Sequence, residues 1–198
     1  HDCTLGFITT KDSAGRKTYR RSAIFILLKA IFDVAGKENV DHVVIHYSLG
    51  NGLYFTMKGS ATLDQELLDR VKVRMRELVE RKLPICKRSV STDDAVSMFH
   101  RHHMYDKEKL FRYRRVSRVN IYSLENFEDY FYGFMVPSTG YLRYYDVIPY
   151  ADGFMLQFPD KNTREVAPFV PAEKLFHTLK TSRDWGKMLE IDTIGALN

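Results

Sequence analysis

The sequence predicts an α+β fold in which an antiparallel sheet packs against helices. Three observations lead to this prediction. The tripeptide Gly-Asn-Gly at residues 50–52 separates two apolar runs, which is a strong signal for a β-hairpin. Residues 63–82 place Leu68 and Val71 on one face at helical spacing. Residues 129–146, here called the aromatic segment, are rich in tyrosine and phenylalanine and predict a second hairpin.

Composition and charge are those of an ordinary globular domain. The chain has 198 residues, of which 44 % are hydrophobic and 28 % charged, with a net charge of +5. No apolar run approaches the length that crosses a bilayer, so we expect no membrane partner. The mild positive charge permits RNA or a nucleotide as a partner. Cys3 and Cys86 do not make a disulfide framework, which favours free thiols in a reducing cytoplasm.

The first quarter of the chain predicts a strand, a buried helix and a hairpin. Residues 5–9 form a short apolar run that fits a strand. Residues 22–32 are apolar nearly all round, which predicts a buried helix that ends near Gly36. Residues 40–48 and 53–57 predict the two strands of the first hairpin.

The amphipathic helix at residues 63–82 is expected to begin with a capping box formed by Thr62 and Gln65. Its apolar residues are expected to pack into the core. Its other face carries charges of both signs, which indicates a solvated surface rather than an RNA site. Pro84 marks the end of this helix.

The middle of the chain contains two patterns that resemble functional sites. Residues 85–90 predict a strand, and Ser91 with Asp94 caps a short helix. The histidine-rich run at 100–103 predicts no metal site, because adjacent helical residues do not face one another and no further ligand stands at suitable spacing. Residues 106–115 interleave basic and aromatic residues, a pattern that fits phosphate contacts or a solvated, partly helical surface.

The aromatic segment leaves two interpretations open. After a strand at 116–122, residues 137–140 form the predicted turn between its two strands. One interpretation is a buried central hairpin. The other is a pocket wall whose tyrosine hydroxyls and Arg143 point at a ligand, since buried tyrosines usually find a polar partner.

The last quarter predicts a strand at residues 154–158 and a final amphipathic helix at residues 171–191. The expected anchors of that helix are Leu175, Phe176, Leu179 and Trp185. Residues 192–198 have the composition of a linker. The sequence contains no P-loop, no dinucleotide-binding glycine motif and no nucleophile elbow.

The order of these elements resembles the second additional domain of threonyl-tRNA synthetases, the module that edits mischarged tRNA. The likeness runs from about residue 19 to about residue 158. Its anchors are the sequences Asn-Gly-Leu-Tyr-Phe at 51–55, Arg-Met-Arg-Glu-Leu at 74–78, and Asp-x-x-x-Gly-x-x-Val-Pro at 129–137.

A closer resemblance is to the version of this module in bacterial nucleoside kinases of the uridine kinase type. It rests on Tyr-Arg-Arg-Ser at 19–22, on residues 46–54, 129–133 and 136–142, and on Trp-Gly-Lys at 185–187. It implies that residues 1–10 end a TGS-like domain, that 11–160 form the editing-like module, and that 161–198 are a helix and linker toward a P-loop kinase outside this chain. The TGS and kinase domains would then be its partners. ATP and Mg would serve that parent kinase, with no cofactor in this fragment.

The departures from the editing module concern its reactive residues. Its H-x-x-x-H pair falls here on Ser22 and Ile26, and its cysteine and histidine fall on Phe131 and Met135. These side chains supply almost nothing that binds or activates water, so we expect no catalytic residue and no metal.

Two polar positions of the module remain, Lys107 and Asp129. They suggest a converted pocket between the first helix and the aromatic segment, with a dry floor and a polar rim. The candidate ligand-binding residues are His46, Lys107, Asp129, Tyr130, Tyr132, Tyr141 and Arg143. The alternatives are a pocket filled by Phe131 and a Lys–Asp pair kept for folding.

The resemblance therefore implies a non-catalytic regulatory or ligand-binding module of a cytoplasmic uridine kinase-type enzyme. Its expected ligand is a nucleoside, a nucleotide or an amino acid. Two other functions stay open. One is a tRNA- or RNA-binding module descended from an editing domain, and the other is a structural or dimerisation domain.

Overall fold

The structure is a computed structural model that describes residues 6–102, 104–112, 116–163 and 165–188. Over these residues, helices and strands follow one another in the order α1 (Ser13–Ala35), β1 (His42–Leu49), β2 (Gly52–Lys58), α2 (Gln65–Glu80), β3 (Cys86–Ser91), α3 (Thr92–Arg101), α4 (Tyr105–Arg112), β4 (Arg118–Leu124), β5 (Phe127–Tyr130), β6 (Asp146–Tyr150), β7 (Gly153–Gln157) and α5 (Glu173–Met188).

The strands form two antiparallel sheets, which confirms the predicted α+β class. The larger sheet has the order β1-β2-β7-β6, and the smaller sheet has the order β3-β4-β5. The predicted hairpin at residues 50–52 joins β1 to β2, with Leu49 opposite Gly52. None of the described helices is long and apolar enough to span a membrane.

Helix α1 is the central element of the main core. Its residues 22–31 are buried on every side, as the apolar run predicts. The helix begins at Ser13, well before that run, and it ends where Gly36 adopts a φ of 84° and donates its N–H to the carbonyl of Phe32. The strand predicted at 5–9 is wrong for residues 6–9, which form no strand, while residue 5 lies outside the described ranges.

One charged residue of α1 is buried inside this core. Lys29 is 1 % exposed, and its ammonium lies 3.0 Å from Asp33 Oδ2, 3.3 Å from Glu125 Oε2 and 3.1 Å from Asn126 Oδ1. Burial by itself would raise the pKa of Glu125, but the bonds and charges of Lys29 and Arg81 outweigh it and lower that pKa. A buried lysine with several acceptors is a satisfied structural charge.

Helix α2 packs as predicted but begins differently. Leu68, Val71, Met75 and Leu78 are at most 1 % exposed, which confirms the apolar face. The predicted capping box is wrong, because Asp64 is the N-cap residue and its carboxylate accepts the N–H of Leu67 at 2.8 Å. Aspartate is a better N-cap residue than threonine, which explains why the helix begins after Asp64.

The smaller sheet has a core of its own. Ser91 caps α3 by accepting the N–H of Asp94 at 3.1 Å, which confirms the predicted cap. The side chains that fill this second core come from α3, α4 and β4, and they are Ala95, Met98, Phe99, Phe111, Val119 and Ile121. Residues 113–115 of the basic stretch lie outside the described ranges.

The aromatic segment is not a hairpin, which corrects the prediction. Strand β5 at its start pairs with β4, and β6 at its end pairs with β7. Each of these hairpins turns through a residue with positive φ, Glu125 at 54° and Ala151 at 51°. Residues 131–145 therefore connect the two sheets. The aromatic content of a strand does not indicate which strand it pairs with, because aromatic residues pack well beside many different neighbouring strands.

Helix α5 packs on the larger sheet through Phe176, which is 5 % exposed and meets the rings of Tyr47, Tyr54 and Tyr150. Two of its four predicted anchors are wrong, because Leu175 is 47 % exposed and Trp185 is 63 % exposed. The predicted end of this helix and the linker at 192–198 lie outside the described ranges.

Candidate functional site

The inner side of the aromatic segment lies against α1. The ring of Phe131 meets that of Phe25 edge-on, with centroids 5.8 Å apart. The hydroxyl of Ser22 donates to the carbonyl of Thr18 at 2.8 Å and accepts the N–H of Val136 at 2.9 Å. This hydroxyl is therefore engaged with the backbone on both sides, whereas a nucleophilic hydroxyl needs a base as its partner.

The other aligned positions are also packed as core. Ile26 on α1 is 0 % exposed, and Phe131 and Met135 pack partly buried against the main core. These apolar groups neither bind water nor move a proton. Within the described ranges, no cluster of three His, Cys, Asp or Glu residues could hold a metal ion. The expectation that no metal binds stays a prediction.

The structure brings Lys107 and Asp129 together. The ammonium of Lys107 contacts the carboxylate of Asp129, which is 1 % exposed. The N–H of Tyr130 donates to the same carboxylate at 2.6 Å. The ring of Tyr130 meets Phe111 of the second core edge-on at 4.9 Å. The pair thus links α4 to β5.

The remaining candidate residues lie elsewhere. His46 is on β1 of the larger sheet, where its Nε2 lies 2.7 Å from the hydroxyl of Thr56 and its Nδ1 lies 3.3 Å from Arg183. The side chains of Tyr132 and Tyr141 are 77 % and 62 % exposed. Arg143 is exposed and donates to the carbonyl of Gly140 at 3.1 Å. The seven candidates therefore do not line one pocket.

The outer side of the aromatic segment carries exposed rings beside cations. Phe134 is 72 % exposed, and the ammonium of Lys87 lies 5.1 Å from the centre of its ring. Arg21 donates to the carbonyl of Phe134 at 2.6 Å. These residues and the exposed Tyr132, two positions before Phe134, are here called the aromatic–basic surface. Exposed aromatic rings beside cations are an arrangement that recognises stacked, negatively charged ligands.

Two features fix the backbone of the aromatic segment on α1. Gly133 has a φ of 103°, and a Cβ there would lie 2.7 Å from the guanidinium of Arg21, so both conformation and space favour glycine. At the far end, the hydroxyl of Tyr19 donates to the carbonyl of Tyr144 at 2.8 Å and accepts its N–H at 2.9 Å. Burial raises the pKa of Tyr19 to about 12.

Phe134, Lys87 and Arg21 are candidate site residues that the sequence patterns did not indicate. Phe134 belongs to the aromatic segment, so its composition was a usable signal. Lys87 comes from β3 and Arg21 from α1. No local pattern in the sequence indicates that these two cations lie beside the same residue.

The fold defines a class of protein: an α+β module with antiparallel sheets and packed helices, with a fold like that of the threonyl-tRNA synthetase editing domain. No protein-family model matches the chain. The sequence is similar to threonine–tRNA ligases.

Three of these ligases show the extent of the similarity. The protein from Thermotoga maritima is 30 % identical over 149 residues, which is 75 % of this chain and 23 % of the ligase. That from Thermotoga neapolitana is 30 % identical over 148 residues, 74 % of this chain and 23 % of the ligase. That from Paraburkholderia xenovorans is 29 % identical over 155 residues, 78 % of this chain and 24 % of the ligase. The chain thus matches about a quarter of the length of these relatives.

Proposed function

We propose that this module binds the single-stranded 3′ end of a tRNA, or an RNA of similar form, without hydrolysing an aminoacyl ester. The relatives act on tRNA by name, which favours the RNA-binding alternative over a nucleoside-kinase accessory module. The aromatic–basic surface is the observation that carries the proposal.

The surface has the two features that sequence-tolerant binding of single-stranded RNA requires. Bases stack on aromatic rings, and Tyr132 and Phe134 are more than two-thirds exposed. Phosphates are neutralised by cations, and Lys87 and Arg21 lie beside Phe134. A buried core would leave neither feature accessible.

The inner side of the segment supports the part of the proposal that excludes hydrolysis. Ester hydrolysis needs an activated water or nucleophile and a group that moves the proton. Ser22 is bonded to the backbone on both sides, and Ile26, Phe131 and Met135 offer no such group. Lys107 and Asp129 neutralise each other.

The uridine kinase-type parent, its TGS and kinase domains, and the ATP and Mg of that kinase stay predictions. The domain boundaries at residues 10 and 160 stay predictions as well. A cytoplasmic location is part of the present proposal, because that is where a tRNA-binding module meets its partner.

The proposal is tested by fluorescence anisotropy with a labelled single-stranded RNA of about 12 nucleotides that ends in CCA. We expect saturable binding that weakens steeply between about 50 and about 200 mM salt. Tyr132→Ala and Phe134→Ala should each weaken binding by about 5- to 150-fold, since one stacked base is worth about 1–3 kcal/mol. Trp185→Ala, which removes an exposed ring from α5, is the matched control and should change the affinity less than about twofold.

Two results would contradict the proposal. If no RNA binds at low salt, or if Trp185→Ala lowers the RNA affinity as much as Tyr132→Ala and Phe134→Ala do, the aromatic–basic surface is not an RNA-binding site. Release of the amino acid from an aminoacyl-tRNA by the purified chain, above the rate without protein, would show that the module is hydrolytic.

A further inference from the structure

A cavity lies at the start of α1, outside the aromatic–basic surface. It has a volume of about 220 Å³. Its walls come from the first turns of α1, the turn between β1 and β2, and the residues after β7. The side chains that matter for its chemistry are Arg16, Arg20, Asn51, Phe158, Asp160 and Lys161.

The wall nearest the helix start is held by the backbone. The N–H of Thr9 donates to Asp12 at 2.8 Å, which bends the chain onto α1. A Cβ on Gly15 would lie 2.0 Å from the carbonyl oxygen of Thr9, so only glycine allows this close approach. Arg16 donates to the carbonyl of Lys11 at 2.6 Å and closes the same loop. The cavity therefore has a formed wall rather than a loose loop.

Arg20 is the side chain that points to a ligand. Its guanidinium lies 5.0 Å from the centre of the Phe158 ring. It makes no hydrogen bond or ion pair with any residue of the described ranges. Partial burial and the charge of Arg16 lower the pKa of Arg20. A half-buried guanidinium with up to five unmet N–H donors gains from an anion that supplies acceptors and neutralises its charge.

The lining charges favour an anion. Arg16, Arg20 and Lys161 supply three cations against the single carboxylate of Asp160. That carboxylate accepts the N–H of Asn162 at 2.8 Å, and this bond is the main cause that lowers the pKa of Asp160. The acid is therefore ionised and offsets one of the three cations, which leaves the lining with a net positive charge.

We propose that this cavity binds the phosphate group of a nucleotide. Two guanidiniums suit a phosphate, because their planar forks present paired N–H donors to its oxygens. The Asn51 amide adds neutral donors for a sugar or base. The phosphate belongs either to a free mononucleotide or to the backbone of the bound RNA.

Calorimetric titrations at low salt with AMP, with adenosine and with inorganic phosphate test this site. We expect saturable binding of AMP and phosphate, and adenosine should bind at least about tenfold more weakly than AMP. Arg20→Gln should weaken AMP by at least about tenfold, since hydrogen bonds to charged groups are the strong ones. Arg101→Gln on α3 removes an exposed charge elsewhere and should leave the affinity within about twofold.

Arg20 also packs on Phe158, so a second variant guards against a folding defect. Lys161 is exposed, and Lys161→Gln should weaken AMP severalfold while circular dichroism stays unchanged. Tyr132→Ala should leave AMP binding unchanged, which separates this site from the proposed RNA surface. If the labelled RNA displaces AMP, the cavity binds a phosphate of the RNA backbone. If RNA and AMP bind at the same time, the cavity binds a free nucleotide.

Three results would overturn the inference. They are equal affinity for adenosine and AMP, an Arg20→Gln variant within about twofold of the unaltered chain, and no saturation by about 10 mM phosphate. Each of these results can occur while the aromatic–basic surface still binds RNA. Conversely, a chain that does not bind RNA could still bind phosphate in this cavity.

Discussion

On the inner side of the aromatic segment Phe131 packs on α1 and Asp129 is 1 % exposed, whereas on the outer side Tyr132 and Phe134 are 77 % and 72 % exposed. The inner residues stabilise the core. The outer residues present rings and cations to solvent.

This difference shows that the residue content of a segment does not say what the segment does. Neighbouring aromatics of one short stretch serve the core and an accessible surface, according to the side on which they emerge. The apolar inner residues also explain why hydrolysis is not expected, while the exposed outer residues explain why binding is. Substitutions on the two sides are therefore expected to differ in their effect on the free energy of unfolding.

The largest effect on the free energy of unfolding is expected at Phe25, the residue of α1 that contacts the inner side of the aromatic segment. This ring is 0 % exposed and contacts both Phe127 and Phe131. Phe25→Ala should lower the free energy of unfolding by about 3–5 kcal/mol, because it removes buried surface and leaves a cavity. Urea denaturation measures the change. A loss below about 1 kcal/mol would show that the inner side is not packed as core.

A smaller effect is expected at Asp129. Asp129→Asn removes the charge that meets Lys107 and weakens the bond from the N–H of Tyr130. The free energy of unfolding should fall by about 1–3 kcal/mol. Asp41→Asn, at an exposed carboxylate, is the matched control and should stay within about 0.5 kcal/mol. Equal effects of the two variants would place Asp129 in solvent.

Tyr19 tests the anchor of the segment through its pH dependence. Tyr19→Phe removes both bonds to Tyr144 and should cost about 0.5–1.5 kcal/mol near neutral pH. The pKa of Tyr19 is about 12 in the folded state against 10.0 for an unperturbed tyrosine, so its hydroxyl stays protonated to higher pH in the folded state than in the unfolded state. The stability from Tyr19 is therefore complete below pH 10 and is lost as pH rises toward 12.

Denaturation series at several pH values check this sign. The difference between the unaltered chain and Tyr19→Phe should shrink steadily above pH 10, the unperturbed value. A difference that stays constant between neutral and alkaline pH would mean that the hydroxyl is not buried.

The smallest effect on stability is expected on the outer side. Phe134→Ala should change the free energy of unfolding by less than about 0.5 kcal/mol, since its ring is mostly solvated. The same variant is expected to lose RNA affinity. Urea titrations of Phe134→Ala and Phe25→Ala compare the two losses of unfolding free energy directly. Losses of similar size would show that Phe134 is packed in the core as Phe25 is.

Much of the fold could be predicted because its signals are local. The apolar run at 22–32 produced a buried helix, residues 50–52 a hairpin, and Ser91 with Asp94 a capped helix. Hydrophobic periodicity and turn chemistry act over a few residues, so the sequence expresses them directly. The sequence similarity also indicated the right fold class.

The candidate site was predicted only in part. Lys107 and Asp129 do meet, but His46 lies in the other sheet, and Phe134 gains its cations from Lys87 and Arg21 on distant elements. Side chains from different elements converge only through packing, which no local pattern records.

What the amino-acid sequence determined by itself was the class of the fold and those elements whose signals are local, such as helix α1, the hairpin of β1 and β2 and the capped helix α3. The tertiary structure decided which strands pair, and so turned the aromatic segment from a hairpin into a connection between two sheets. The physical reason is that secondary structure follows from neighbours along the chain, whereas strand pairing and exposure follow from where distant residues bury their apolar surface.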